Sequence, residues 1–255
     1  MFKGLYGICY SRKLSILDIN YRERAILFLA QSKDAMEIDH VFFFVASPAS
    51  GKAPELPSLA ALGLVPTYQR HHRGQGTQNL CYCFDNLFVE FLWVCDQSEV
   101  SAHQIARTKL CERSRWQSNQ TCPFGIAWRG AEAHRDLPIA TWNYQPPYLP
   151  SGMAIEVATD GDDPRQPMMF KSPGGTPPIS WAVDKKGCLQ QAGGWGRVLG
   201  IDLFMPSTVV PSPALLAIAE QTMLTLQVAS DDQFSIHLQI EQLASLQSRV
   251  LKLPA

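Results

Sequence analysis

The sequence predicts an α+β protein assembled from repeated β-α-β-β-β-type modules. Three observations carry this. Runs rich in β-branched and aromatic residues, broken by one short helical stretch, follow each other from Ile38 to Val94. A polar segment, Gln97 to Thr121, then interrupts the pattern with only Ile105, Leu110 and Trp116 as apolar anchors. From Val198 a second regular stretch repeats the order β-α-β-β, an echo of architecture with little sequence identity.

Taken in order, Ile38 to Val45 is a buried strand, and alternation puts His40, Phe42 and Phe44 on one face and Val41, Phe43 and Val45 on the other. Pro57 to Leu64 is a short helix stopped by Gly63. Val65 to His72, Asn79 to Phe84 and Leu87 to Val94 are strands. Arg73-Gly74-Gln75-Gly76 turns between the first two, and Asp85-Asn86 forms a two-residue hairpin loop of types that tolerate positive φ. Phe124 to Trp128, Met153 to Ala158 and Met168 to Lys171 are further strands, and Pro138 to Pro150 is an extended aromatic loop. Val198 to Met205 is a strand, Pro213 to Gln221 a helix with Pro at its start, Leu224 to Ala229 and Phe234 to Ile240 strands, and Gln242 to Lys252 a final amphipathic helix. The expected organisation is an N-terminal extension over 1–35, a first module over 36–96, a linker over 97–122, an irregular second module over 123–195 and a C-terminal β-α-β-β-α unit over 196–255.

With 255 residues, 46% of them hydrophobic, the chain can bury a full core in one or two domains. A net charge of -1 argues against nucleic acid as a partner, and no apolar run reaches the ~18 residues that span a bilayer. Seven cysteines, an odd number with no C-x-x-C pair, suit reduced thiols in a cytoplasmic protein. Residues 1–35 carry six basic against three acidic residues, with the apolar stretch Ala25 to Ala30 flanked by charge on both sides, so a signal peptide is not expected. The segment reads as a short helix that packs poorly on the rest, or as a stretch preceding a native start at Met36.

Two polar residues stand in almost wholly apolar strands, His40 and Glu90. A buried carboxylate is costly unless paired, hydrogen-bonded or bound to metal, and imidazole beside carboxylate on neighbouring strands is a common start for a divalent-metal site. Singly, each is more often a satisfied core or salt-bridging residue. Thr77 and Asn79 share one strand face and could hydrogen-bond a substrate carbonyl or satisfy the turn backbone. His71 and His72 read as a solvated strand end that, with Arg73, could attract an anion at a cleft mouth. Cys81 and Cys83 read as core packing, and Glu156 as a salt-bridge partner. Trp128, Trp142, Tyr144 and Tyr148 could line a pocket wall, although core or loop anchoring is the plainer reading of each.

Asp39-His40-Val41, Leu62-Gly63-Leu64, Gly74-Gln75-Gly76-Thr77-Gln78-Asn79, Val89-Glu90-Phe91 and Phe124-Gly125-Ile126 together resemble the vicinal-oxygen-chelate superfamily, in particular its glyoxalase-like domain proteins. The likeness covers Ile38 to Pro173 and is specific over 38–95. It implies paired modules forming a curved mixed sheet around an open cleft, as in glyoxalases, bleomycin-resistance proteins and extradiol dioxygenases. It also implies a divalent metal (iron, manganese, zinc or nickel) held by His40 and Glu90. A second module starting at Phe124 offers no equivalent ligand; one starting at Val198 puts His237 opposite Glu90, giving a two-His, one-carboxylate set. On this reading the metal polarises a small oxygen-bearing substrate for isomerase, lyase or dioxygenase-type chemistry, Glu90 is the catalytic acid or base, and Thr77, Asn79 and Trp128 contact substrate. Two alternatives stand beside it: a metal-free cleft that binds a small molecule among Phe42, Phe44, Trp128 and Trp142, and a non-catalytic scaffold or homodimer.

Overall fold

The computed structural model describes residues 35–47, 56–130, 136–182, 187, 189–245 and 247–254. Of the N-terminal extension expected over 1–35, residues 1–34 lie outside the described residues.

The fold is α+β, with two mixed sheets and few helices. In the larger sheet the strands are β1 (Glu37–Phe44), β2 (Tyr68–His72), β3 (Thr77–Cys83), β4 (Phe88–Val94), β5 (Phe124–Arg129), β6 (Thr141–Tyr144), β7 (Ile155–Ala158) and β8 (Met168–Lys171). Their spatial order is β2-β3-β4-β1-β5-β8-β7-β6. Each half repeats one plan: the first strand pairs in parallel with the fourth, β1 with β4 and β5 with β8. The antiparallel β1–β5 ladder joins the halves. The first half carries the short helix α1 (Pro57–Ala61) between β1 and β2. Four single-turn helices, α2 (Gln97–Val100), α3 (His103–Ala106), α4 (Leu110–Arg113) and α5 (Trp116–Asn119), make up the polar linker.

The smaller sheet has β9 (Trp195–Met205), α6 (Pro213–Gln221), β10 (Leu224–Val228), β11 (Ser235–Gln242) and β12 (Gln247–Pro254), in strand order β10-β9-β11-β12. Here the sequence reading needs correction twice. The final segment is a strand, not a helix, laddered against β11 from Ser235↔Pro254 to Gln242↔Gln247. Leu243, Leu246 and Val250 fit a helical stripe, but the open edge of β11 offers the segment backbone partners along one side. The unit also departs from the first module's plan, since β9 pairs in parallel with the next strand, β10, rather than with the fourth. A third correction is that the aromatic segment Pro138 to Pro150 contains β6, which pairs with β7.

Period-two alternation divides the large sheet into two faces. Val41, Phe43, Val89, Phe91, Phe124, Ile126 and Trp128 share one core with the C-terminal unit, including Val198, Ile201, Leu215, Ile218 and Leu238. Burying each such side chain contributes about 1.5–3 kcal/mol, so this face is the main source of stability. Two side-chain amides mimic strand pairing across the join. Asn86 Nδ2 donates to the Val198 carbonyl and its Oδ1 accepts from the Val198 N–H, both at 2.9 Å; Gln190 does the same to Val65 at 2.8 and 2.9 Å. Asp85-Asn86 is the expected two-residue loop, closed by Phe84 N–H to the Leu87 carbonyl at 2.9 Å, but neither residue has positive φ. The linker is fastened by Arg113, fully buried, whose guanidinium donates to the carbonyls of Cys122, Gly161, Pro164 and Gln166. Burial lowers its pKa to about 10.

Candidate functional site: a one-sided polar cavity

The opposite face of the large sheet lines a cavity of about 310 Å³. Alternation selects its wall: Tyr68, Arg70 and His72 from β2, Asn79 from β3, Phe88, Glu90 and Leu92 from β4, His40 and Phe42 from β1, and Met168 and Phe170 from β8. Leu110, Tyr144, Tyr148 and Ile155, with the segment Ser172 to Thr176 and Trp181, complete it.

His40 and Glu90 meet in this cavity. His40 Nε2 lies 3.7 Å from Glu90 Oε2, and both residues are 7% exposed. The imidazole stacks on Phe88, centroids 4.3 Å apart and planes 16° apart, with Phe170 edge-on at 5.4 Å. Its Nδ1 bonds Asp39 Oδ1 at 2.7 Å. Sequence neighbours in a regular strand point to opposite faces; here the β1–β5 register slips between Ile38 and His40, so Asp39 is the extra residue of a β-bulge and turns to the cavity beside His40. Arg129 Nη1 stands 3.5 Å from Asp39 Oδ2, and Arg129 also pairs with Glu37 at 2.6 Å. Burial alone would raise the Asp39 carboxyl, but its hydrogen bond to His40 and the charges of His40 and Arg129 outweigh that and hold it below the usual value. An ionised Asp39 only accepts, so the network places a proton on His40 Nδ1 and turns Nε2 toward Glu90 and the cavity.

Glu90 is oriented in turn. Arg70 N–H donates to Asn79 Oδ1 at 2.8 Å, which directs Asn79 Nδ2 to Glu90 Oε1 at 2.7 Å and to His72 Nε2 at 3.5 Å. His72 Nε2 is then an acceptor, and its Nδ1–H faces Thr77 Oγ1 at 2.9 Å. Thr77 also accepts from Gln75 Nε2 at 2.8 Å, and Gln75 Oε1 accepts from Tyr144 at 2.7 Å. Burial lowers the His72 pKa to about 4, so this imidazole is neutral. Tyr148 packs on it with centroids 4.5 Å apart. Gly74 positions Tyr148: its φ is +80°, and a Cβ there would strike the Pro147 ring.

Several expected site residues stand elsewhere. His237 is on β11 in the smaller sheet, against Phe204 at 4.4 Å and opposite Asp202, and does not line the cavity. Trp128 is fully buried on the other face of β5, in the core shared with the C-terminal unit. Thr77 is fully buried and serves His72 and Gln75 rather than a ligand. Asn79 does line the cavity, but its amide is committed to Glu90 and Arg70. His72 is 5% exposed, a core residue instead of a solvated strand end. Of the aromatics considered for a wall, Phe42, Tyr144 and Tyr148 line the cavity and Phe44 and Trp142 do not. Cys81 and Cys83 pack with Phe88 and Leu189, and Glu156 pairs with Lys171 at 3.5 Å. Asp39 is the residue that sequence reasoning missed; no pattern in one sequence reports a bulge.

Zinc held as a resident cofactor takes three or four protein donors, and non-haem iron commonly takes three. His40 and Glu90 could both reach one ion, each with an outer partner, Asp39 and Asn79, of the kind that orients metal ligands. The other half of the sheet adds none. Its cavity-facing positions are Gly125 and Ala127 on β5 and Met168 and Phe170 on β8, and the Phe42 ring fills the space where a Gly125 side chain would stand. Among the described residues no three His, Cys, Asp or Glu side chains converge as a metal site. Among the described residues the donor set therefore does not fit a resident zinc or iron.

No family model matches the chain, and no curated protein matches it. Among solved structures it is similar to a hypothetical protein from Staphylococcus aureus, with TM-score 0.40 and 9% identity over 86% of each chain. It is also similar to a mutant of 4-hydroxymandelate synthase from Streptomyces coelicolor, with TM-score 0.39 and 12% identity over 87% of this chain and 63% of that one. No helix among the described residues is long and apolar enough to cross a membrane.

Proposed function

We propose that this chain is a vicinal-oxygen-chelate-type protein that binds a small organic molecule in its cleft and moves a proton on it without a resident metal, as an isomerase or lyase does. One observation carries the reading: an imidazole nitrogen and a carboxylate oxygen, 3.7 Å apart, stand in a cavity whose wall also carries Phe42, Phe88, Leu92, Met168 and Phe170. The repeated plan of the halves β2-β3-β4-β1 and β5-β8-β7-β6 supports this reading, since the superfamily implies two modules of one plan. Asp39 supports His40 as a base, because a base whose second nitrogen is held by a carboxylate keeps one tautomer and is stabilised when it gains a proton. A carbon or oxygen acid of the ligand would lie against Nε2 and give up its proton there; Glu90 would accept a hydrogen bond from the ligand or take the proton onward. Dioxygenase chemistry commonly uses three protein ligands on iron, and among the described residues no such set of three converges.

The test is proton exchange. A panel of aromatic and aliphatic oxo compounds is incubated with the full chain in deuterated buffer and followed by NMR for loss of C–H signals. Exchange by the wild type, abolished in His40→Ala and indifferent to chelator, is the expected result. Exchange that chelator abolishes, or that His40→Ala retains, overturns the reading.

A further inference from the structure

The cavity holds a second polar feature, remote from His40. Arg70 stands at its mouth, exposed, with its guanidinium over the Tyr68 ring at 6.0 Å from the centroid. No described residue accepts a hydrogen bond from that guanidinium or pairs with its charge. The Tyr148 hydroxyl, on the same wall, also lacks a hydrogen-bond partner among the described residues, although its ring is fixed against His72. A cation and a hydroxyl, each without a hydrogen-bond partner among the described residues, therefore border one hollow.

The register sets the spacing. Arg70 is opposite Asn79, which is opposite Leu92; Glu90 is two residues along β4 on the same face. Two strand spacings across and two residues along put the Arg70 and Glu90 Cα atoms about 12 Å apart. The cavity volume of about 310 Å³ gives room for one ring with short polar groups at either end. Glu90 within the same cavity disfavours a dianion, and a planar carboxylate matches the guanidinium fork.

We propose that Arg70 and Tyr148 form an anion subsite, and that the ligand is a small aromatic carboxylate whose ring packs on Phe42, Phe88 and Phe170 with its far end toward His40 and Glu90. This rests on the cleft being the ligand site.

Calorimetric titration of the full chain with phenylacetate, phenylacetamide and phenyl phosphate tests it. Phenylacetate is expected to bind about tenfold more tightly than its neutral amide. That ratio falls to about one in Arg70→Ala and is partly kept in Arg70→Lys. A ratio unchanged in Arg70→Ala, or no binding of phenylacetate at millimolar concentration, overturns the subsite. Phenyl phosphate binding more tightly than phenylacetate overturns the carboxylate assignment. NMR of bound phenylacetate is expected to show contacts between its ring protons and the Phe88 and Phe170 rings. Binding without those contacts lies outside the cleft and overturns the cleft reading too, whereas binding with them that is indifferent to Arg70 removes the subsite alone.

Discussion

Asp39 and His40 are consecutive residues of one strand, yet their side chains meet, Oδ1 to Nδ1 at 2.7 Å, because the β1–β5 ladder bulges at Asp39. The bulge makes a buried carboxylate the orienting partner of the imidazole that faces Glu90. Asp39→Asn should therefore change the tautomer of His40 without emptying the site. Imidazole nitrogen NMR is expected to show Nδ1 protonated in the wild type and a mixture in the variant. The exchange rate with any active ligand should drop by roughly a hundredfold or more. An unchanged nitrogen spectrum would mean that Asp39 does not hold the ring.

Gly125 and Phe42 are packed so closely that no β-carbon fits between them. Gly125→Ala should destabilise by roughly 1–3 kcal/mol through overpacking. Combining it with Phe42→Leu should recover part of that loss, read as a coupling in a denaturation double-mutant cycle. Additive single effects would show that the ring moves aside freely.

His72 has a folded-state pKa near 4 against an ordinary 6.5, because burial disfavours its charged form. As pH falls below 6.5 the unfolded chain takes up a proton that the folded chain refuses until about 4. Stability is thus lost on acidification across that window, by up to ~3 kcal/mol. Urea denaturation of the wild type and His72→Gln at about pH 7 and about pH 4.5 measures it. The variant should lose less stability between the two; parallel losses would place the acid sensitivity elsewhere.

Arg113→Met keeps much of the side-chain volume and removes the donors to four carbonyls. Leaving those acceptors dry should cost more than about 3 kcal/mol, seen as a lower denaturation midpoint. A loss under about 1 kcal/mol would indicate that water replaces the guanidinium.

Periodicity is a local property, and it alone determined the strands of the first half, the α+β class, and the presence of His40 and Glu90 among apolar neighbours on strands that would pair. It could not decide between helix and strand for the last segment, since Leu243, Leu246 and Val250 suit either until β11 offers an edge. The position of His237 was equally undetermined: whether two units of similar element order share one sheet depends on which strand edges meet, and here they form two. Only tertiary structure decided that Asp39 joins His40 and that Trp128 faces away from the cavity. It also decided that Arg70, Tyr148, His40 and Glu90 border one hollow, because a bulge, a cross-strand register and a loop closure link residues that no short-range pattern connects.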